Sequence, residues 1–467
     1  MTDTVSAAGN APWLAAIEGF YGPPFRHDER LDLIRWLPRA GLTDYAYGPK
    51  DDPYHREQWR APYPEGHLER FAETLATARE HGVSLTLSVS PGLDWRGEPD
   101  HAPLVAKLRQ LYDLGVRSLG VYWDDVPPGG EELGRAHGRG VAAAAHGLPD
   151  DIRWLTVGTD YATSHVTDYL AGFAAELPEG VAIAWTGPAI TSPDVPAAVA
   201  TTLATQLGRP LLLCDNWPVN DLGMSPVLHL GPAPYRDPAL RSVVAGAGFN
   251  MMSLPRATRP GLETAARHWR RPEEDRALAW REVIAGYPGL EPLARACRSW
   301  LSDPGPDPEL VSWITPGLLG DRRLLDFLAA GCRTDLPADW QTELEPWLEA
   351  WEAEAAIAAG VLRVIQDPST VAAAPDLGVD WTALHRRPVQ VFGIRLAVYG
   401  LSYRAGDRLL PHPGSVIRGE NLTDLVVRQA LEGLFAAAQG AGPPGQGAGA
   451  PGQGAQETSA PPPAAER

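Results

Sequence analysis

A chain of 467 residues is long enough for two folded units, or for one large barrel with an appendage. Its 44% apolar and 21% charged residues are typical of a soluble globular protein. Its 58 acidic against 40 basic residues, a net charge of −18, argue against sequence-independent binding to nucleic acid or to an anionic membrane, because phosphate surfaces require a basic patch.

The cysteines and the N-terminus indicate a cytoplasmic protein. Cys214, Cys297 and Cys332 are odd in number, widely spaced and lack the close spacing of zinc ligands, so we expect reduced thiols and no metal. The N-terminus lacks the basic and apolar regions of a signal peptide, and no run of 18 apolar residues occurs. We therefore predict neither secretion nor a membrane span.

From residue 13 onward, β-rich segments alternate with stretches of helical periodicity, which is the pattern of βα units in a parallel sheet. We predict eight such units, each with a helical pattern after its strand. The fold class is thus α/β, with a TIM-like (β/α)8 barrel over residues 13–258. The strands are predicted to begin at Trp13, Leu42, Val83, Val116, Ile152, Val181, Pro210 and Ser242.

Polar side chains directly follow many of these strand segments. Barrel enzymes carry their active sites at the carboxyl ends of the strands, so this distribution favours an enzyme, although any soluble barrel places polar residues in its loops. The residues in question are Glu18, Lys50, Asp51, Asp52, Asp124, Asp125, Asp160, Asp215 and Asn250.

Beyond the barrel, the pattern becomes helical. Over residues 259–438, Trp340, Trp347 and Trp351 recur with leucines at helical spacing, which predicts a buried core stripe in a helical C-terminal domain. Residues 439–467 are rich in Gly, Pro, Ala and Gln, which predicts a disordered tail, and residues 1–12 are expected to be flexible.

Asp124 and Asp125 are the strongest candidates for chemistry, because they end the apolar segment VYWDD. Glycosidic cleavage requires an acid for the leaving oxygen and a second group for the developing positive charge, and two carboxylates can supply both. Their proximity is expected to split their pKa values. On its own, an Asp-Asp pair is more often a solvated or helix-capping pair than an acid–base pair or a site for a hard cation.

Six motifs favour one of these roles for the Asp124–Asp125 pair. They occur between residues 13 and 255 in the order EGFYGPPF, YAYGPKDDPYHREQWR, SVSPG, WDD, WTGP and DNWPVND. With these motifs the chain resembles the O-GlcNAcase-type β-N-acetylglucosaminidases, glycoside hydrolase family 84. The resemblance covers the barrel and is much weaker in the helical region.

The resemblance implies a retaining, substrate-assisted mechanism, in which the acetamido oxygen of the sugar attacks the anomeric carbon and forms an oxazoline. Asp124 would orient the acetamido N–H, and Asp125 would protonate the leaving oxygen and later deprotonate water. It implies no cofactor. It also assigns sugar-binding roles to the backbone of Gly19 and to Lys50, Tyr161, Asn216, Asp221 and Asn250. Taken singly, each of these fits a turn, a surface charge, a core aromatic or a helix cap.

Two positions depart from the family pattern. Cys214 stands where relatives usually carry Trp in the N-acetyl pocket, so we expect either a larger pocket that accepts bulkier N-acyl groups, or compensation by Trp185 or Trp217. The segment FNMM at residues 249–252 stands where many relatives have Asn-Pro-Met, which affects how Asn250 is presented.

Two other functions remain open from the sequence. A metal-dependent barrel hydrolase would use Asp124, Asp125, Asp215 and Asp221 as ligands for Mg²⁺ or Ca²⁺. A non-catalytic N-acetylglucosamine-binding protein would keep the sugar contacts without turnover, although the presence of both aspartates argues against it. The aglycone of a β-N-acetylglucosaminide substrate and the oligomeric state do not follow from the sequence.

Overall fold

The computed structural model describes residues 13–225, 227–298, 306–331, 333, 335–367, 397–398, 401–404, 408–411, 416–417 and 422–438. Cys332 and the two predicted terminal segments, residues 1–12 and 439–467, lie outside the described residues. Among the described helices, none has both the length and the apolar character that a bilayer crossing requires.

Eight parallel strands form a closed barrel in which each strand pairs with the next and β8 pairs with β1. This confirms the predicted (β/α)8 fold, and seven of the strands begin within two residues of the predicted positions. The strands are β1 Trp13–Glu18, β2 Asp44–Tyr47, β3 Ser84–Val89, β4 Ser118–Tyr122, β5 Arg153–Val157, β6 Ala182–Trp185, β7 Leu211–Asp215 and β8 Gly246–Asn250.

The start of β8 was predicted at Ser242, and this prediction is wrong by four residues. A 3₁₀ helix over Pro238–Ser242 precedes the strand, and the Asp237 carboxylate caps it by accepting a hydrogen bond from the Ala239 N–H at 2.9 Å. This cap favours the helical turn over an extended chain, so the strand begins only at Gly246.

Helices follow seven of the strands and surround the barrel. They are α1 His27–Ala40, α2 Glu65–Glu80, α3 His101–Asp113, α4 Glu131–His146, α5 Asp168–Glu176, α6 Ala197–Leu207 and α7 Thr258–Arg270, with a short 3₁₀ helix Glu98–Asp100 before α3. The prediction of a helix after every strand is wrong for β7. Between β7 and β8 the described residues contain 3₁₀ helices, Leu222–Met224 and Pro238–Ser242, but no α-helix. Pro218, Pro232 and Pro234 fall in this segment, where each removes a backbone donor and disfavours a continuous helix.

Small side chains line much of the barrel interior, where alternate residues of each strand point inward. Two aromatic rings fill the space that they leave. A Cβ atom at Gly120 would lie 2.6 Å from the Tyr122 ring, and one at Gly248 would lie 2.7 Å from the Trp13 ring, so both positions require glycine. The interior cluster consists of Trp13, Ala15, Ala46, Leu155, Ala182 and Leu212, with Ile17, Tyr122 and Cys214 packed against it.

The region after α7 is mainly helical, as predicted, and Trp347 and Trp351 lie in its core. It also contains four short strands that the helical periodicity did not predict. The helices are α8 Arg276–Ala285, α9 Glu291–Ala296, α10 Pro308–Ser312, α11 Ile314–Leu318, α12 Arg323–Ala330, α13 Ala338–Gln366 and α14 Leu422–Ala438. The strands form antiparallel pairs, β9 Ala397–Val398 with β12 Val416–Ile417, and β10 Leu401–Arg404 with β11 Arg408–Pro411.

The predicted domain limit at residue 258 falls at the first residue of α7. Leu262, Ala265 and Ala266 of this helix pack in the same core as the barrel, so α7 is the eighth barrel helix. Conversely, Leu228 and Met252 from the barrel loops pack into the core of the helical region. The two parts of the chain therefore share side chains across this limit.

Glu343 of α13 joins the helical region to the start of α7. Its carboxylate accepts hydrogen bonds from the main-chain N–H groups of Arg256 and Ala257, both at 2.8 Å, and lies 3.4 Å from the Arg256 guanidinium. The side chain is buried, and this burial raises the pKa of Glu343, although the two N–H donors favour the ionised form. One buried carboxylate thus caps a helix that belongs to the other part of the chain.

We predict that Glu343→Ala lowers the free energy of unfolding by about 2–3 kcal/mol, because two buried N–H donors lose a charged acceptor. Urea unfolding followed by circular dichroism measures this change. The control is Glu352→Ala on the same helix, where a half-exposed carboxylate pairs with Arg333 and about 0–1 kcal/mol is expected. Equal effects of the two substitutions would contradict the capping role.

Candidate active site

A cavity of about 130 Å³ opens at the carboxyl ends of the barrel strands. All nine residues that were selected from the sequence line it, namely Gly19, Lys50, Asp124, Asp125, Tyr161, Cys214, Asn216, Asp221 and Asn250. They come from six strands or the loops that follow them, and the parallel barrel brings these ends together. The structure thus places the residues around one site, while their roles remain predictions.

Asp124 forms a buried ion pair with Lys50. The Lys50 ammonium donates to Asp124 Oδ2, and the Lys50 and Asp124 side chains are only 6% and 16% exposed, respectively. Burial would raise the pKa of Asp124, but the charge of Lys50 and its hydrogen bond outweigh burial and lower it. The other oxygen, Oδ1, is buried and has no hydrogen-bond partner among the described residues. Asp124 is therefore held as a carboxylate, and its Oδ1 can accept a hydrogen bond from a ligand.

Asp125 has a different environment from that of its neighbour. Its Oδ2 accepts a hydrogen bond from the Tyr21 hydroxyl at 2.8 Å, and its Oδ1 accepts one from the Tyr161 hydroxyl at 2.6 Å. Lys50 Nζ is farther away, at 3.8 Å from Oδ2. Burial and the Asp125 charge raise the pKa of both tyrosines, so both phenols stay protonated and able to donate.

The backbone of Asp125 is left-handed, with φ = 54°. This conformation is uncommon for a residue other than glycine and costs about 1–3 kcal/mol. It turns the Asp125 side chain away from the extended direction of β4. As a result, the adjacent Asp124 and Asp125 line the same cavity with different partners.

Asp221 lies in the loop after β7, where its Oδ2 accepts a hydrogen bond from the main-chain N–H of Tyr21 at 2.8 Å. Although Asp221 precedes a 3₁₀ helix, its side chain does not cap that helix. Burial raises the pKa of Asp221 to about 6, and the nearby charge of Asp125 adds to this effect. The carboxyl therefore titrates in the range in which many enzymes work.

Two asparagines that line the cavity form a hydrogen-bonded pair. Asn250 Nδ2 donates to Asn216 Oδ1 at 3.0 Å, and Asn216 Nδ2 donates to the Ile190 carbonyl at 2.7 Å. Asn250 Oδ1 is buried and lacks a partner among the described residues. Gly19 lies beside it, since a Cβ atom there would be 3.3 Å from that oxygen. Asn250 therefore lines the cavity even though it is followed by Met251 and Met252.

Cys214 contributes to the apolar base of the cavity. Burial raises the pKa of the Cys214 thiol to about 12, and the charges of Asp124 and Asp215 act in the same direction. Within the described part of the chain, neither Trp185 nor Trp217 lines the cavity. Both indoles are buried elsewhere, and that of Trp185 donates to the Thr163 carbonyl at 2.9 Å. The compensation considered from the sequence is therefore absent from these two positions.

Five other polar residues that follow strands are not part of the cavity lining. The Glu18 carboxylate pairs with Arg30, that of Asp52 accepts from Tyr47, and that of Asp160 accepts from Thr167. Asp215 forms a two-pronged ion pair with Arg236, at 2.7 and 2.8 Å, while Asp51 is exposed. These residues support the loops around the site.

The alternative of a carboxylate metal site has no support in this arrangement. Lys50 engages Asp124, Arg236 engages Asp215, and the Tyr21 N–H engages Asp221. The described residues contain no group of three or more His, Cys, Asp or Glu side chains with the spacing of a metal site. Hard cations require several convergent oxygen ligands, which these pairings do not leave.

The sequence did not identify two residues that contact Asp125, namely Tyr21 and Arg56. Tyr21 lies within the motif EGFYGPPF, and Arg56 lies within YAYGPKDDPYHREQWR, so the signal was present in the quoted motifs. Neither residue was selected, because a tyrosine and an arginine in a loop do not reveal which distant side chain they contact. The Arg56 guanidinium donates to the Asp125 carbonyl and to the Tyr21 hydroxyl, both at 3.1 Å.

Comparison with known proteins assigns the barrel to a family. A family model described as beta-N-acetylglucosaminidase matches residues 15–299. Protein O-GlcNAcase of Mus musculus is 28% identical over 257 residues, which cover 50% of this chain and 28% of that protein. The same protein of Rattus norvegicus is also 28% identical, over 51% of this chain and 28% of its own length. The match thus spans little more than a quarter of these curated relatives.

A solved structure shares the fold of most of the chain. It is a mutant O-GlcNAc hydrolase of Thermobaculum terrenum, which is 24% identical with a TM-score of 0.72 and covers 92% of this chain and 96% of that chain. At this level of identity, the likeness extends to the fold alone.

We predict that ionisation of Asp221 destabilises the folded protein. Its folded pKa of about 6 exceeds the ordinary value of 3.8, so the unfolded state ionises first, and stability falls as the pH rises from about 4 to above 6. The whole loss amounts to about 3 kcal/mol. The free energy of unfolding of Asp221→Asn minus that of wild type should therefore increase as the pH rises over this range. Denaturant unfolding at each pH measures this difference. A difference that stays constant with pH would contradict the burial of this carboxyl.

Proposed function

This chain belongs to the beta-N-acetylglucosaminidase family, a family of glycoside hydrolases, and we propose that it removes terminal β-linked N-acetylglucosamine by substrate-assisted catalysis. The observation that carries the proposal is the pair of adjacent carboxylates, Asp124 and Asp125, which line one cavity in two different electrostatic environments. Differently tuned carboxylates divide the work of orienting a nucleophile and moving a proton.

Asp124 suits the orienting role. Lys50 keeps it ionised, and its free oxygen, Oδ1, is the acceptor that an acetamido N–H would satisfy. A buried acceptor without a partner is costly, so a ligand that supplies a donor gains binding free energy. The hydrogen bond strengthens as positive charge develops on the acetamido group, which favours the transition state over the bound substrate.

Asp125 suits the proton-transfer role. In the first step its proton passes to the leaving oxygen, while the acetamido oxygen attacks the anomeric carbon and the glycosidic bond breaks. In the second step Asp125 takes a proton from a water molecule, and the oxygen of this water attacks the anomeric carbon of the oxazoline. The bond between that carbon and the acetamido oxygen breaks, and the product retains the β configuration. The tethered acetamido oxygen acts at a high effective concentration, so no protein nucleophile is required.

The remaining polar groups would bind the sugar ring. Asp221, Asn216 and Asn250 line the cavity and offer acceptors and donors for the hydroxyl groups of the sugar. Lys50 would add a hydroxyl contact to its ion pair with Asp124, and the Gly19 backbone lies close to Asn250. The Tyr161 hydroxyl, which donates to Asp125 Oδ1, would turn to the acetamido group. Neutral hydroxyl recognition also agrees with the net charge of −18.

The curated relatives are named for hydrolysis of protein-linked O-GlcNAc, and we extend to this chain only the terminal sugar. The cavity has room for one sugar ring, which favours exo-action and few specific contacts with the aglycone. Aryl glycosides are therefore suitable probes whatever the natural aglycone is.

We predict that the wild-type protein releases 4-methylumbelliferone from its β-N-acetylglucosaminide without loss in EDTA. Asp124→Asn and Asp125→Asn should each lower kcat/KM by about 10²–10⁴-fold, the range expected for loss of one acid–base group. For Asp125→Asn the loss should grow as the leaving group becomes less acidic, because a poor leaving group depends more on protonation.

Asp160→Asn is the matched control, since Asp160 also follows a strand but contacts Thr167 outside the cavity. Its activity should remain within about twofold of wild type, as for a substitution away from the reacting atoms. Binding of N-acetylglucosamine without turnover would favour the alternative of a sugar-binding protein. Activity lost in EDTA would favour a metal-dependent hydrolase.

We further propose that the cavity accepts N-acyl groups longer than acetyl. Cys214, Ala46 and Ala184 line the cavity together with Leu155 and Trp13. Barrel interiors are commonly filled by bulky branched residues, whereas three of the side chains that line this cavity are small. An added methylene group would enter apolar surroundings and gain rather than lose burial free energy.

We predict that kcat/KM for an N-butyryl aryl glucosaminide stays within about tenfold of that for the N-acetyl compound. Cys214→Phe refills this space, so it should lower the butyryl-to-acetyl ratio by at least about tenfold, because a clash then opposes the longer chain. A ratio that is low in wild type, or unchanged by Cys214→Phe, would show that the acyl chain does not reach this part of the cavity.

A further inference from the structure

We propose that Arg56 is a positioning residue for Asp125, and that it determines which oxygen of this carboxyl carries the transferable proton. The inference rests on the proposed acid–base role of Asp125. Arg56 is 5% exposed and is not one of the described residues that line the cavity, so it acts through its neighbours.

Arg56 holds Asp125 at two points. One guanidinium nitrogen donates to the main-chain carbonyl of Asp125, and another donates to the Tyr21 hydroxyl, each at 3.1 Å. The Tyr21 hydroxyl in turn donates to Asp125 Oδ2 at 2.8 Å. The first contact fixes the backbone of a residue with φ = 54°, a conformation that needs support from its surroundings.

The direction of these hydrogen bonds is set by the chemistry of the guanidinium group. Arginine has only donors, so the phenol oxygen of Tyr21 must accept from Arg56, and the O–H of Tyr21 must point towards Asp125. Asp125 Oδ2 therefore accepts this hydrogen bond and does not carry the proton. The proton of the carboxylic acid then belongs to Oδ1, where the Tyr161 oxygen can accept as well as donate.

Hydrogen bonds of the main chain hold the turn that carries Arg56. Its main-chain N–H donates to the Asp52 carbonyl at 3.3 Å, in a turn where the Asp52 carboxylate accepts from the Tyr54 N–H at 2.9 Å. The neighbouring His55 carbonyl accepts from the Ser90 N–H at 2.8 Å, which ties the turn to the end of β3. A main chain fixed in this way places the Arg56 guanidinium within hydrogen-bonding distance of Tyr21 and Asp125.

The test compares Arg56→Met, Arg56→Lys and Tyr21→Phe on aryl β-N-acetylglucosaminides whose leaving phenols differ in acidity. We expect Arg56→Met to lower kcat by about 10–100-fold on the least acidic leaving group and progressively less on more acidic ones, with KM changed less than threefold. Arg56→Lys should recover part of kcat, because an ammonium group keeps the charge but cannot donate in the same fork. Tyr21→Phe should show the same dependence on the leaving group.

Arg60→Met is the matched control, because Arg60 lies in the same segment and binds Asp94 and Asp100 instead of Asp125. A purely structural role of Arg56 would lower kcat equally for all leaving groups, and this result would overturn the proposal. If Arg56→Met fails to fold, Arg56→Lys and Tyr21→Phe decide by the same criterion. A leaving-group effect in Asp125→Asn alone would overturn the inference and leave the proposed function intact, whereas an inactive wild type would overturn both.

Discussion

The buried ion pair between Lys50 and Asp124 sets the electrostatics of the cavity. Burial alone would raise the pKa of Asp124, and the charge and hydrogen bond of the Lys50 ammonium group reverse that tendency. The pair also leaves one Asp124 oxygen buried without a protein partner among the described residues. A buried acceptor of this kind can accept a hydrogen bond from a ligand donor, so the interaction that stabilises the charge also leaves a place for the proposed acetamido contact.

The shape of the cavity depends on the barrel strands beneath this pair. Gly120 and Gly248 make room for the rings of Tyr122 and Trp13, while alanines occupy other interior positions. The barrel is therefore filled by two large rings and many small side chains, and its upper part remains open to the site. Packing and specificity are coupled here, because a larger side chain in the interior would occupy space that the proposed substrate uses.

The sequence predicted the barrel and the residues around the cavity because both depend on local periodicity and on one topological rule, that parallel strands end together. Asp124 and Lys50 follow their strands directly and could be placed in this way. The missing helix after β7 was not predicted, although the prolines that disfavour a helix there are visible in the sequence. Tyr21 and Arg56 reach Asp125 across 104 and 69 residues, and such contacts depend on loop conformations that no periodicity encodes.

Tyr21 links the two ends of the site. Its hydroxyl donates to Asp125, and its main-chain N–H donates to Asp221, so a single residue spans the proposed proton-transfer group and the proposed sugar contact. Binding of a ring hydroxyl to Asp221 favours its charged form, which strengthens the hold on the Tyr21 backbone. Arg56 donates to the phenol oxygen of Tyr21, so a change at Asp221 on sugar binding can reach Asp125 through Tyr21. The proposed sugar contact and the proposed proton-transfer group are therefore connected through one residue, by its main chain at Asp221 and by its side chain at Asp125.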